Sequence, residues 1–223
     1  MRTRIWDRIG SVSWAAYLAL LVAAYAVLPK PMVGDTTNVA GILAYFGAHQ
    51  GLIRAYAALG GLGNLFLLIF VAHLAGRLRG GRGAPDFSLL ALASGAGVVL
   101  FEFAIIGTQL ALAVAAAAAT AGAGILGMLF SSLVVAGMFL LGLYFAAVGA
   151  AILASGVFPT WFGWTSYAAA VLEITIAVLV TLGVARVGLV SLLLAIVWIA
   201  GAGILSTRLE RRLSLQSSVA APA

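Results

Sequence analysis

Residues 87–112 read FSLLALASGAGVVLFEFAIIGTQLAL, a hydrocarbon-like run with one carboxylate, Glu102, set between Phe101 and Phe103. A helix rising about 1.5 Å per residue needs about 20 apolar residues to cross a hydrocarbon core of roughly 30 Å, and this run is long enough. Ser88, Gly95, Glu102 and Gln109 recur at seven-residue spacing and so share nearly one face of that helix. Leu, Val and Ile fill most of the remainder. An ionisable group at membrane depth is costly and turns towards a bundle interior or a wet cavity, which makes Glu102 a candidate functional residue.

Composition extends the reading to the whole chain. Of 223 residues, 64% are hydrophobic and 8% charged, and the mean hydropathy is +1.19. Soluble domains carry roughly 45–50% apolar and about 25% charged residues, so the chain reads as a polytopic membrane protein. The net charge of +6 comes from arginines beside apolar runs, the pattern of topology signals and anionic-lipid contacts; no nucleic-acid partner is expected. Cysteine is absent, which excludes disulfides, thiolate chemistry and cysteine-ligated metals.

Six spans follow along the chain. Met1–Gly10, with Arg2, Arg4 and Arg8, is expected to lie on the membrane surface, and Ser11–Leu28 is the first span. A basic start before an apolar run also fits a signal peptide with a site near Ala24-Tyr25-Ala26, but the run is long for one, and a retained helix is the reading taken. Pro29-Lys30-Pro31 ends the span. Asp35–Asn38 then offers a cap for a short helix whose Ile42, Leu43, Tyr45 and Phe46 would lie at the interface. Further spans are expected at Gly51–Gly76, from Phe87 into the alanines Ala115–Ala119, at Gly122–Leu153, at about Trp164–Val184, and, after a tight turn at Arg186-Val187-Gly188, up to about Leu205.

With the N-terminus inside, Arg2, Arg4, Arg8, Arg77, Arg79, Arg82, Arg208, Arg211 and Arg212 are cytoplasmic, leaving Lys30, Arg54 and Arg186 outside. That asymmetry predicts an all-α, six-span transmembrane helical bundle with N- and C-termini cytoplasmic. Its domain would be residues 1–207, followed by a basic and then disordered tail at 208–223. The expected surroundings are the lipid bilayer, with anionic lipids at the cytoplasmic arginines.

Depth arithmetic places Glu102 in the outer half of its helix and Arg54 just inside the outer end of its antiparallel neighbour. A buried Arg54–Glu102 ion pair is the first reading, and a proton- or ion-coupling carboxylate the sharper one. Arg54, Ala57, Gly61 and Asn64 make a small polar face expected to meet Glu102. Glu173, near the midplane, shares a face with Ser166, Ala169, Ala170 and Ala177, so it should point at another helix. Asn64, Gln109, Ser131 or Ser132 could serve as its hydrogen-bonding partner. His73 reads as a wet interfacial group, and His49 lies near the opposite face, so no shared metal site is expected.

No chemistry motif is present. Gly122-Ala-Gly-Ile-Leu-Gly127 fits G-x-G-x-x-G but opens a membrane helix without a preceding strand, so it fails the dinucleotide context. H-E-x-x-H, G-x-S-x-G and phosphate-loop motifs are missing. The expectation is a non-enzymatic protein with no catalytic residues, cofactor or metal. The alternative is a small proton-coupled carrier using Glu102 and Glu173, although these fall on non-corresponding helices of a three-plus-three division.

Leu153-Ala-Ser-Gly-Val-Phe-Pro-Thr-Trp-Phe-Gly-Trp164 resembles the segment before the penultimate helix in a group of six-helix bacterial membrane proteins known as a domain of unknown function. His49-Gln-Gly-Leu-Ile-Arg54 is similar to that group's second-helix start, with Arg54 at its arginine position. Thr160 stands where the group usually has a basic residue. The resemblance implies a fold and a bacterial inner-membrane location, and no activity.

Overall fold

The computed structural model describes residues 2–28, 39–80, 84–118, 122–184 and 188–219, with side chains for all of these except 2–4, 39, 188 and 211–219. The described residues form seven helices: α1 (Arg2–Val27), α2 (Val39–Ala48), α3 (Gln50–Leu78), α4 (Pro85–Ala117), α5 (Ala123–Ser155), α6 (Thr160–Thr181) and α7 (Gly188–Val219). All but α2 are long and apolar enough to cross a membrane. Residues 29–38, Arg82, Arg186 and residues 220–223 lie outside the described set.

Local chemistry explains the ends. Pro85 occupies the first turn of α4, where its missing N–H costs nothing. Gly156 ends α5 in the left-handed conformation, φ 65°, and its N–H bonds Ile152 O at 3.0 Å. Only glycine takes that conformation without a Cβ penalty. Pro159 is extended at the start of α6, and Trp161 and Trp164 face outward from the first two turns of that helix.

Three boundaries differ from the sequence reading. α1 is continuous from Arg2, so no separate surface segment precedes the first span; Ser11 and Ser13 are buried, each bonded to a carbonyl one turn back. α7 runs on through Arg208, Arg211 and Arg212 to Val219, so the part of the tail expected to be disordered is helical that far. α2 is not simply interfacial: Ile42 and Phe46 are buried against Ile53, Leu112 and Phe130, where apolar side chains escape water more completely than at a membrane surface.

The spanning helices pack in the order α1, α3, α4, α5, α6, with α7 closing back onto α6 and α1. α2 sits over α4 and α5 at the opposite end from the α1 start. The largest core lies between Phe70, Leu74 and Leu78 of α3, Phe145, Val148 and Ile152 of α5, Phe162 of α6 and Trp198 of α7. Trp198 is its hub, 4.8 Å from Phe145 and 5.7 Å from Phe162 by ring centroids. Outward faces carry Leu62, Leu100, Val171 and Val197, side chains suited to lipid.

Close helix approach depends on small residues. A Cβ on Gly95 would lie 2.6 Å from Val71 Cγ1 and 2.8 Å from Tyr144 Cε2, and one on Gly149 would lie 3.0 Å from Gly163 O. Without a strong hydrophobic drive between helices in lipid, such packing is a main source of association.

Candidate functional site

Polar side chains gather in three places. The first is the end of the bundle where α1 begins and where Glu210 of α7 lies. His73 and Arg77 lie one turn apart on α3, so they face the same way. Arg77 Nη2 donates to Glu210 Oε1 at 2.7 Å and lies 3.6 Å from Asp7 Oδ1. His73 Nε2 is 3.2 Å from the same Glu210 oxygen and 3.5 Å from Ser206 Oγ. Thr207 adds a hydrogen bond from α7 to Ser11 O of α1 at 3.2 Å. His73 is only 2% exposed, pressed against Gly10 of α1, rather than the wet interfacial group expected from its position near a helix end.

This cluster ties α1, α3 and α7 together through charge-assisted bonds, which are stronger than neutral ones. The donor atoms of Asp7, His73 and Glu210 lie within 4.8 Å of one another, a compact set of the kind divalent metals accept. Arg77 already supplies a positive charge to both carboxylates. The sequence reading assigned no role to Asp7 or Glu210. The signal available was topological: six spans bring the start of the first, the end of the second and the end of the last to one side.

The second place is Glu173, fully buried on α6 with Ser166, Ala169, Ala170 and Ala177. Its partner is Ser191 of α7, whose hydroxyl donates to Oε1 through a short contact. Oε2 has no partner among the described residues. One turn and more away along the same interface, Trp198 Nε1 donates to Ser166 Oγ at 2.9 Å. None of the residues suggested from sequence meets Glu173. Ser131 and Ser132 bond carbonyls of their own helix. Gln109 is on α4, and its Oε1 is buried without a partner among the described residues. Asn64 is buried on α3.

The third place surrounds Glu102, half-buried on α4. Arg54 is exposed and the two do not come within 4 Å. Arg54 lies in the second turn of α3, close enough to the helix end for its long side chain to reach water, which charged heads prefer. Tyr17 and Tyr25 of α1 and Tyr56 of α3 lie in the seam between those two helices. Tyr25 and Tyr56 meet edge to face, with centroids 5.6 Å apart. All three tyrosines are half-buried residues, as Glu102 is. α3 is slim here, where Gly60, Gly61 and Gly63 face α4 and α1: a Cβ on Gly61 would meet only Phe103, at 3.9 Å, and one on Gly63 would touch Tyr17 at 3.6 Å. Tyr17 and Tyr25, two turns apart on one face of the first span, were the overlooked sequence signal.

Glu102 and Glu173 belong to separate sites, since α5 packs between their helices. The chain matches no protein-family model, no curated protein and no solved structure.

Proposed function

We propose that the chain is a non-enzymatic, multi-pass protein of a bacterial plasma membrane, with both termini cytoplasmic, whose interhelical charges hold the bundle together. The observation that carries this reading is the Asp7–Arg77–Glu210–His73 network, whose members bond one another across three helices at the place where the ring of helices closes. Arginines concentrated at that end support the orientation, and exposed Arg8, Arg79 and Arg208 suit anionic lipid headgroups. The resemblance of Leu153–Trp164 to the bacterial six-helix group supports the location.

The test is removal of the network as a unit. Replacing His73, Arg77 and Glu210 together with apolar residues of similar size should recover much, but not all, of the stability that single replacements lose, because no charge is then left stranded. Single replacements should destabilise. Single replacements without effect on detergent-solubilised protein would overturn the structural role.

A second reading is a small proton-coupled carrier. It is favoured by two intramembrane carboxylates that have no basic partner among the described residues, Glu102 and Glu173. Glu102→Gln and Glu173→Gln should then each abolish pH-dependent flux in proteoliposomes. Equal flux in parent and variants, or none in the parent, ends this reading.

A further inference from the structure

Asp7, His73 and Glu210 come from the start of α1, the end region of α3 and the C-terminal half of α7, yet their donor atoms lie within 4.8 Å of one another. With the imidazole neutral, the two carboxylates share one guanidinium, that of Arg77, so the cluster itself keeps a net negative charge. We propose that these three side chains form a binding site for a divalent transition-metal ion of the zinc class, with water completing the coordination. Such a site goes beyond the structural clamp, which needs no ion.

Geometry and donor chemistry select that class. Zinc holds imidazole nitrogen and carboxylate oxygen at about 2.0–2.2 Å, so neighbouring donors around it stand about 3–3.5 Å apart. His73 Nε2 and Glu210 Oε1 are already 3.2 Å apart. With its proton on Nδ1, the imidazole presents the Nε2 lone pair to the cluster. Asp7 is the outer member, partly exposed, and a change of rotamer closes its gap while leaving a path from solvent. One imidazole with two carboxylates suits zinc and its transition-metal neighbours, whereas calcium and magnesium take about six or more oxygen ligands.

Arg77 is the competitor. Its Nη2 lies 2.7 Å from the same Glu210 oxygen, so the ion must displace it. The guanidinium is partly exposed, and a long arginine can carry its head into water while its stem stays packed. The exchange puts two positive charges where one stood, between two carboxylates. Arg8, Arg79 and Arg208 at this end are exposed, so salt screens their repulsion of an approaching cation. His49, the other histidine, lies between α2 and α3 at the opposite end, which makes it a control and not a ligand.

The experiment is equilibrium binding of Zn2+ to the untagged, chelator-stripped, detergent-solubilised full chain, read by competition with a zinc-responsive dye. Saturable binding at one ion per chain is expected, undisturbed by a large excess of Mg2+. Asp7→Asn is the decisive variant: its pairing with Arg77 contributes little to the fold, so its melting curve in chelator should match the parent's while zinc affinity falls about tenfold or more. Arg77→Leu removes the competitor and should bind zinc more tightly, so that zinc raises its melting temperature more than the parent's. His49→Ala should bind as the parent does. No saturable one-to-one binding by the parent, equal affinity in Asp7→Asn, displacement by Mg2+, or a loss confined to His49→Ala overturns the site. Destabilisation by single replacements in chelator without zinc binding keeps the structural clamp and removes the site. Zinc binding in a protein whose stability in chelator ignores those replacements does the reverse.

Discussion

Arg77→Leu should lower the stability of the detergent-solubilised protein by about 3 kcal/mol, more than the double change Arg77→Leu/Glu210→Leu. The single change strands a carboxylate that is 17% exposed, beside His73 at 2%. Breaking a buried pair by removing one partner costs about 3–5 kcal/mol, chiefly because the remaining charge is uncompensated. The low end applies here, since both Arg77 and Glu210 retain some contact with solvent. Removing both charges eliminates the stranded group and exchanges it for apolar contact, so the double variant recovers much of the loss. Asp7 is 44% exposed and 3.6 Å from Arg77, a geometry in which a pair is worth about 0–1 kcal/mol. Asp7→Asn should therefore change little. Thermal unfolding followed by tryptophan fluorescence reads all three. Strictly additive losses for Arg77 and Glu210 would mean that the two do not act as a pair.

The contrast with Arg54 and Glu102 shows what one-dimensional reasoning can deliver. Span number follows from apolar length, and helix ends follow from proline and glycine chemistry at Pro85, Gly156 and Pro159, because backbone hydrogen bonding in a membrane leaves few alternatives. Depth follows from rise per residue. Rotation and side-chain reach do not. Arg54 can extend to water from its place near a helix end, so an antiparallel neighbour with a carboxylate at similar depth does not guarantee a pair. The burial of Glu173 is readable from its small-residue face, but its partner is not, because α7 closes the ring by tertiary packing and brings Ser191 across from outside the sequence neighbourhood. The role of α2 was hidden for the same reason: Ile42 and Phe46 are apolar enough for an interface or a core, and only the packing of α4 and α5 decides between them.

Gly10→Ala is expected to be the most damaging single-methyl addition in the first span. The new Cβ would lie 2.3 Å from His73 Cγ, 2.4 Å from Nδ1 and 2.6 Å from Cβ. Rotating the imidazole cannot clear it, because the histidine's own Cβ is among the atoms struck. The helices must separate instead, and overpacking of this kind costs about 1–3 kcal/mol. Separation also draws Nε2 away from Glu210, where the contact is 3.2 Å, so part of the network's stabilisation is lost with the packing. Gly76→Ala is the control: it is on the partner helix, nothing lies within 4 Å of its added Cβ, and alanine is the better helix former by roughly 1 kcal/mol. Gly76→Ala should leave the melting temperature unchanged or raise it. Adding His73→Ala to Gly10→Ala should relieve only the clash with the ring atoms, because residue 73 keeps its Cβ, 2.6 Å from the added methyl. A Gly10→Ala protein that melts like Gly76→Ala would show that α1 does not seat against His73, and the ring of helices would then have to close by some other contact.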